Sequence, residues 1–167
     1  MKLHNDNLIF SPSDLILFLE SPFASWMEHF GLISPEALDL KDQDDAMMLM
    51  LQDKGAEHES SVLEGLKQQG LTIANIGLSS DKKAATIQAM KEGADVVFQA
   101  CLSQDQFTGF ADFLVRVPGS SQLGDYHYEI WDTKLSKSLQ PYYTIQLCCY
   151  QEMIAAIQGR YSNDFVI

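Results

Sequence analysis

Two carboxylates set in apolar, strand-like runs are the residues whose placement most invites chemistry. Asp112 lies in GFADFLVRV and Asp132 in YHYEIWDTK, with Lys134 two positions beyond the second acid. An ionised carboxylate in a buried strand is costly unless something pairs it, and a divalent metal is the simplest partner. In a strand running to Lys134, alternation puts Ile130, Asp132 and Lys134 on one face and Glu129, Trp131 and Thr133 on the other. Asp132 and Lys134 are then about 7 Å apart along the same side. A metal-bound carboxylate beside a lysine suits phosphodiester hydrolysis. The metal polarises the phosphoryl oxygen, while the ammonium orients the attacking water or stabilises the charge that develops. On spacing alone, an ordinary Asp132–Lys134 salt bridge at a strand end, of little energetic weight, is the simpler reading.

The elements that must position these groups can be read in chain order. Ser11-Pro12-Ser13-Asp14 is a helix start. Ser21-Pro22 interrupts that helix and opens a second one, in which Phe23, Trp26 and Phe30 read as core and Gly31 as the stop. Ser34 to Asp45, acidic and carrying a proline, reads as an exposed loop with one helical turn at most. A long helix is predicted over Asp45 to Gln69, ended by Gly70. Leu51, Gly55, His58, Val62 and Leu66 make its apolar stripe, which turns His58 toward the core. A single histidine on such a face is more often a hydrogen-bonded core residue than a ligand, and neighbouring Glu59 keeps a ligand role open.

Leu71 to Ile76 reads as a short strand, and Ser79-Ser80-Asp81 caps a helix that reaches about Lys91 before Gly93. Asp95 to Leu102 has strong β character. Phe107–Val117 and Tyr126–Lys134 follow as an antiparallel pair, joined through Pro118-Gly119-Ser120-Ser121 by a connection too long for a two-residue hairpin. Pro141 opens a last helix to Gln158, stopped by Gly159, on which Gln146 and Tyr150 share a face. Asp164 to Ile167 reads as the first residues of a further strand, so the sequence is expected to be a piece of a longer protein.

At 167 residues, 46% hydrophobic and 20% charged, the chain fits one globular domain. No apolar run approaches the roughly 18 residues that span a bilayer, and the N-terminus lacks a secretory layout, so a cytoplasmic protein is expected. Cys101, Cys148 and Cys149 match neither a zinc ribbon nor a disulfide framework and read as free thiols. Neither a phosphate-binding P-loop nor a dinucleotide fingerprint is present. The net charge of −12 argues against a broad electropositive surface for nucleic acid; metal ions, a local cluster or a partner must supply the attraction.

The order of these signals is more specific than any one of them. G-x-x-H (Gly55 to His58) precedes G-x-x-D (Gly109 to Asp112), then E-I-W-D-x-K (Glu129 to Lys134), then Q-x-x-x-Y (Gln146 to Tyr150). The succession resembles the RecB-like branch of the PD-(D/E)XK nucleases, and SPSDLILFLESPFASWM is similar to that branch's opening segment. Within the branch, the match is to nucleases that sit ahead of a helicase region in longer chains. The resemblance implies an α/β fold with a restriction-endonuclease-like core, a central mixed sheet flanked by helices. Residues 1–45 would form an N-terminal helical segment and 46–167 the nuclease core of a single domain. It implies that His58, Asp112, Asp132 and the backbone carbonyl of Thr133 coordinate Mg²⁺ or Mn²⁺, that Lys134 is the catalytic lysine, and that Gln146 and Tyr150 support it or the DNA. Many relatives hold an iron–sulfur cluster, the first cysteine lying where this chain has Ser21, so no cluster is expected. The activity implied is metal-dependent DNA hydrolysis, as an exonuclease module in DNA repair or processing. A helicase region of the same chain, or a partner subunit, would present the DNA. A nuclease-fold domain acting as a DNA- or protein-binding scaffold is the alternative.

Overall fold

The computed structural model describes residues 1–40, 46–136 and 138–167, with the backbone alone at residues 35, 38 and 39. A hairpin that the residue pattern does not announce comes first. Its strands, β1 (Lys2–His4) and β2 (Asn7–Ile9), turn through Asn5 and Asp6, both left-handed at φ 48° and 60°. Asn and Asp are the side chains that tolerate such turns best. The hairpin is stitched to the body at Phe10, whose N–H donates to Gln106 O and whose carbonyl accepts from Thr108 N–H, both at 2.8 Å.

Helix α1 (Pro12–Glu20) starts with a complete capping box: Ser11 N–H donates to Asp14 Oδ2 at 2.7 Å, and Asp14 N–H donates back to Ser11 Oγ. Ser21 serves two helices at once. Its N–H closes α1 on Leu17 O, and its Oγ accepts from Ala24 N–H at the start of α2 (Pro22–Ile33). Gly31 does not stop α2, as the sequence suggested. It is buried inside the helix, and Ser34, in extended conformation, closes the end on Phe30 O at 2.9 Å. The aromatics of α2 stack on one another, Trp26 on Phe30 at 5.2 Å, but on the surface rather than in the core, with Phe23 70% exposed. A 3-10 turn covers Pro35–Leu40; the expected helix start at Asp45 lies outside the described residues.

Helix α3 (Ala46–Gln68) ends before Gly70 at φ 79°. Then come β3 (Ile73–Asn75), α4 (Lys82–Glu92), β4 (Val96–Gln104), β5 (Phe107–Ser121), β6 (Gly124–Trp131), α5 (Pro141–Gln158) and β7 (Phe165–Val166). The five strands β3-β4-β5-β6-β7 form one mixed sheet, antiparallel at its centre and parallel at both edges. The fold is therefore α/β. No helix among the described residues is long and apolar enough to cross a membrane.

The β5–β6 connection is tighter than its residues suggest. Pro118 to Ser121 stay in β5 through a register shift in which Gly119 takes φ 141°, and only Gln122 and Leu123 separate the paired Ser121 and Gly124. The bulge absorbs the extra residue that made the loop look long.

Both faces of the sheet are covered. Met90 of α4 and Leu147, Met153 and Ile154 of α5 pack with Val97, Leu114 and Ile130, while Leu63 and Leu66 of α3 pack with Val96, Phe113 and Val115. The facing of the two central strands changes part-way. In β4, Val96 and Phe98 belong to the α3 side, yet Ala100 and Leu102 belong to the α4/α5 side. In β5, Phe113 and Val115 face α3, whereas Ala111 faces α4 and α5. The change falls at Gln99 and Asp112, opposite one another between the pairs Phe98–Phe113 and Ala100–Ala111. Gln99 makes it by adopting φ 56° inside a strand. That conformation costs a residue with a side chain roughly 1–2 kcal/mol.

Gly109 explains one motif glycine. A Cβ there would lie 2.7 Å from Tyr150 Cε1 and 3.0 Å from Pro12 Cδ, so α5, the first helix turn and β5 meet on its bare Cα. Gly109→Ala should lower unfolding stability by about 1–3 kcal/mol in urea titration, because buried Tyr150 has no room to yield.

A polar clamp fixes the entry to β4. Asp95 Oδ2 accepts from Thr72 N–H at 2.9 Å and Thr72 Oγ at 2.6 Å, and Arg116 pairs with Asp95 Oδ1 while donating to Gly93 O. The Thr72 bonds, then Arg116, hold the Asp95 carboxyl below its usual value. A depressed folded pKa contributes stability above the unfolded value of about 3.9, and that contribution is lost as pH falls below it toward the folded value. Asp95→Asn should therefore be about 1 kcal/mol less stable at neutral pH, the gap closing at acid pH in parallel denaturation curves.

Candidate metal and lysine site

Strand β6 ends at Trp131, and Asp132, Thr133 and Lys134 follow as an irregular segment whose first amide, Asp132 N–H, donates to Val166 O at 2.9 Å. The segment leans on β5. Thr133 donates from its N–H at 2.8 Å and its hydroxyl at 3.2 Å to Asp112 Oδ2. Asp112 is thus held near Asp132, close enough for its charge to bear on the Asp132 carboxyl. Asp132 is 3% exposed. Lys134 Nζ stands 2.7 Å from its Oδ2, and beyond that ionic contact neither oxygen has a partner among the described residues.

Burial first, then the Asp112 charge, push the Asp132 carboxyl up to about 6 against the pull of Lys134. A buried acid whose oxygens meet only the Lys134 ammonium among the described residues fits a site that takes a cation. The Lys134 ammonium also lies 5.4 Å over the Tyr143 ring and is partly open to solvent. It borders an open groove of about 630 Å³ that Gln52, Gly55, Glu59, Thr133 and Tyr143 also line.

Helix α3 turns a different residue to the site than its apolar stripe suggested. His58 is exposed, not directed at the core, and Glu59 is half-buried instead. The spacing could not separate the two: positions 58 and 59 both lie three or four residues from Gly55 and from Val62. Leu63 decides between them. Its burial centres the packed face on Leu63 and Leu66, and one turn back from Leu63 is Glu59. The Glu59 Oε2 accepts from Gln99 Nε2 at 2.6 Å. Burial, then the Asp112 charge, push the Glu59 carboxyl above its usual value, while Gln99 opposes the shift.

On the other face, Gln146 Nε2 donates to the Tyr150 hydroxyl at 3.3 Å. Tyr150 is 4% exposed and pushed up to about 12 by burial, opposed by Gln146 and reinforced by Asp112 and Asp132. None of the protein families, curated proteins or solved structures compared with the chain matches it. The geometry alone bears on the site.

That geometry brings Asp112, Asp132, Lys134 and the Thr133 amide together, sets the Gln146–Tyr150 pair behind them and leaves His58 outside. Among the described residues, no three His, Cys, Asp or Glu side chains stand close enough to form a metal cage on their own. The Asp112–Asp132 pair is the part that fits an ion. Gln99 and the Thr133 N–H escaped the residue pattern, the first because its backbone breaks the alternation and the second because main-chain donors leave no trace in sequence.

Proposed function

We propose that the protein is a metal-dependent deoxyribonuclease with a restriction-endonuclease-like core of the RecB-like kind, serving as an exonuclease module in DNA repair or processing. The observation that carries the reading is the buried Asp132 beside Asp112, its oxygens met among the described residues only by Lys134, 2.7 Å away at the edge of an open groove. Asp112 and Asp132 would hold Mg²⁺ or Mn²⁺, which when bound would supply Lewis-acid stabilisation of the scissile phosphoryl group. Lys134 places an ammonium where negative charge develops, and Tyr143 beneath it limits where that ammonium can swing. Thr133 keeps Asp112 turned toward Asp132. Tyr150, lodged against Gly109, fixes the β5 backbone that carries Asp112. Glu59, in place of His58, is the acid that α3 offers.

Linear single-stranded and duplex DNA incubated with the protein and Mg²⁺ or Mn²⁺ tests this. Cleavage should stop with a chelator and in Asp132→Ala; intact DNA under all these conditions, or cutting that survives the substitution, sinks the reading. With a net charge of −12, DNA is expected to be delivered by a helicase region of a longer chain or by a partner subunit.

A second reading, a nuclease-fold scaffold without turnover, is favoured by the lack of a three-ligand cluster among the described residues. Calorimetry separates the two. Mn²⁺ binding that disappears in Asp112→Ala contradicts the scaffold, and a wild-type protein that takes up no Mn²⁺ supports it.

A further inference from the structure

Among the described residues, four besides glycine have positive φ, and three of them, Asn5, Asp6 and Asp105, sit in hairpin turns. The fourth, Gln99, lies in the body of β4. Regular alternation would send its side chain to the face of Val97, into the α4/α5 core. The left-handed backbone turns it to the α3 side, where Nε2 reaches Glu59 Oε2 at 2.6 Å. Glycine would take this conformation without strain, so a glutamine here points to use of the amide. A carboxylate only accepts, which leaves the amide as the donor and gives the bond a direction.

We propose that Gln99 is a positioning residue for Glu59, its left-handed backbone aiming the amide across the sheet to hold that carboxylate toward Asp112. The proposal rests on the nuclease reading for its chemical meaning, since an acid turned toward Asp112 adds negative potential where a cation is taken up. Glu59 is carried on a helix that could otherwise place its long side chain in several rotamers. The Gln99 bond selects one of them, and opposite Gln99 across β4 and β5 stands Asp112 itself.

Gln99→Gly and Gln99→Met test the proposal together. Gln99→Gly should melt about 2–4 °C higher than the parent, because glycine relieves the backbone strain. Both variants should bind Mn²⁺ about 10–100-fold more weakly and cut DNA with a lower kcat at nearly unchanged KM. In a Glu59→Gln background, Gln99→Met should add nothing to the loss. The bond is also read without metal or DNA: the Gln99 side-chain amide resonances should move in Glu59→Ala. Unmoved resonances, or a Gln99→Gly protein that melts higher and keeps full Mn²⁺ affinity, overturn the proposal. A wild-type protein that neither cuts DNA nor binds Mn²⁺ removes the nuclease reading. The amide resonances then decide the positioning role alone.

Discussion

Lys134→Met should lower the rate of DNA cleavage by about 10²–10⁴-fold while leaving DNA affinity within a few-fold of the parent. The size follows from what the ammonium touches. It is the sole partner of Asp132 Oδ2 among the described residues and is only partly open to solvent, so it can meet both the carboxyl pair and a phosphate in the groove. Methionine fills the same space over Tyr143 and removes only the charge. A loss confined to kcat marks an interaction made in the transition state, whereas a loss confined to KM would mark Lys134 as a binding group. Lys134→Arg should recover little, because a planar guanidinium cannot occupy the pocket of a compact ammonium. Full cleavage by Lys134→Met would leave the lysine as nothing more than a salt-bridge partner.

Gln158→Leu should cost about 2–4 kcal/mol in urea unfolding, the largest stability loss expected here. Gln158 is fully buried, and its amide acts as a short piece of strand. The Oε1 accepts from Tyr128 N–H at 2.8 Å, and Nε2 donates to Tyr128 O at 3.2 Å. It stands beside β6 ahead of the point where β7 begins to pair, at Ile130 with Phe165. Leucine matches the volume but strands a buried backbone donor. Ser162→Ala should cost less, since Gln158 still reaches the Tyr128 carbonyl when the Ser162 hydroxyl, 2.6 Å from it, is gone. Equal losses in the two variants would show that the amide pairing is not what holds this edge.

Much of the frame could be read from residues that act locally. Ser11-Pro12 and Ser21-Pro22 mark real helix starts, and Gly93 and Gly159 take the left-handed conformations that end α4 and α5. Asp132 and Lys134 do meet, in an ion pair, although the strand whose alternation was to bring them together ends at Trp131. What escaped depends on partners distant in sequence. Gly31 looks like a stop because nothing local says that Ser34 will close the helix instead. His58 and Glu59 differ by one position on a helix whose facing is set by packing on Val96 and Phe113. The slip of facing at Gln99 and Asp112 cannot be read from period-two patterning, because each strand is regular on either side of it and only the joint is irregular.

The bond from Asp132 N–H to Val166 O has a consequence for the order of folding. Asp112, the β5–β6 hairpin and the Thr133 bonds to Asp112 can form from nearby strands, but the Asp132 amide is tied down only when residues 165 and 166 dock alongside. That contact spans the whole of α5, and long-range contacts of this kind form late because loop closure must precede them. The edge contact that fixes the Asp132 backbone is therefore among the last features to be completed as the chain folds, and among the first to come apart when the edge of the sheet frays.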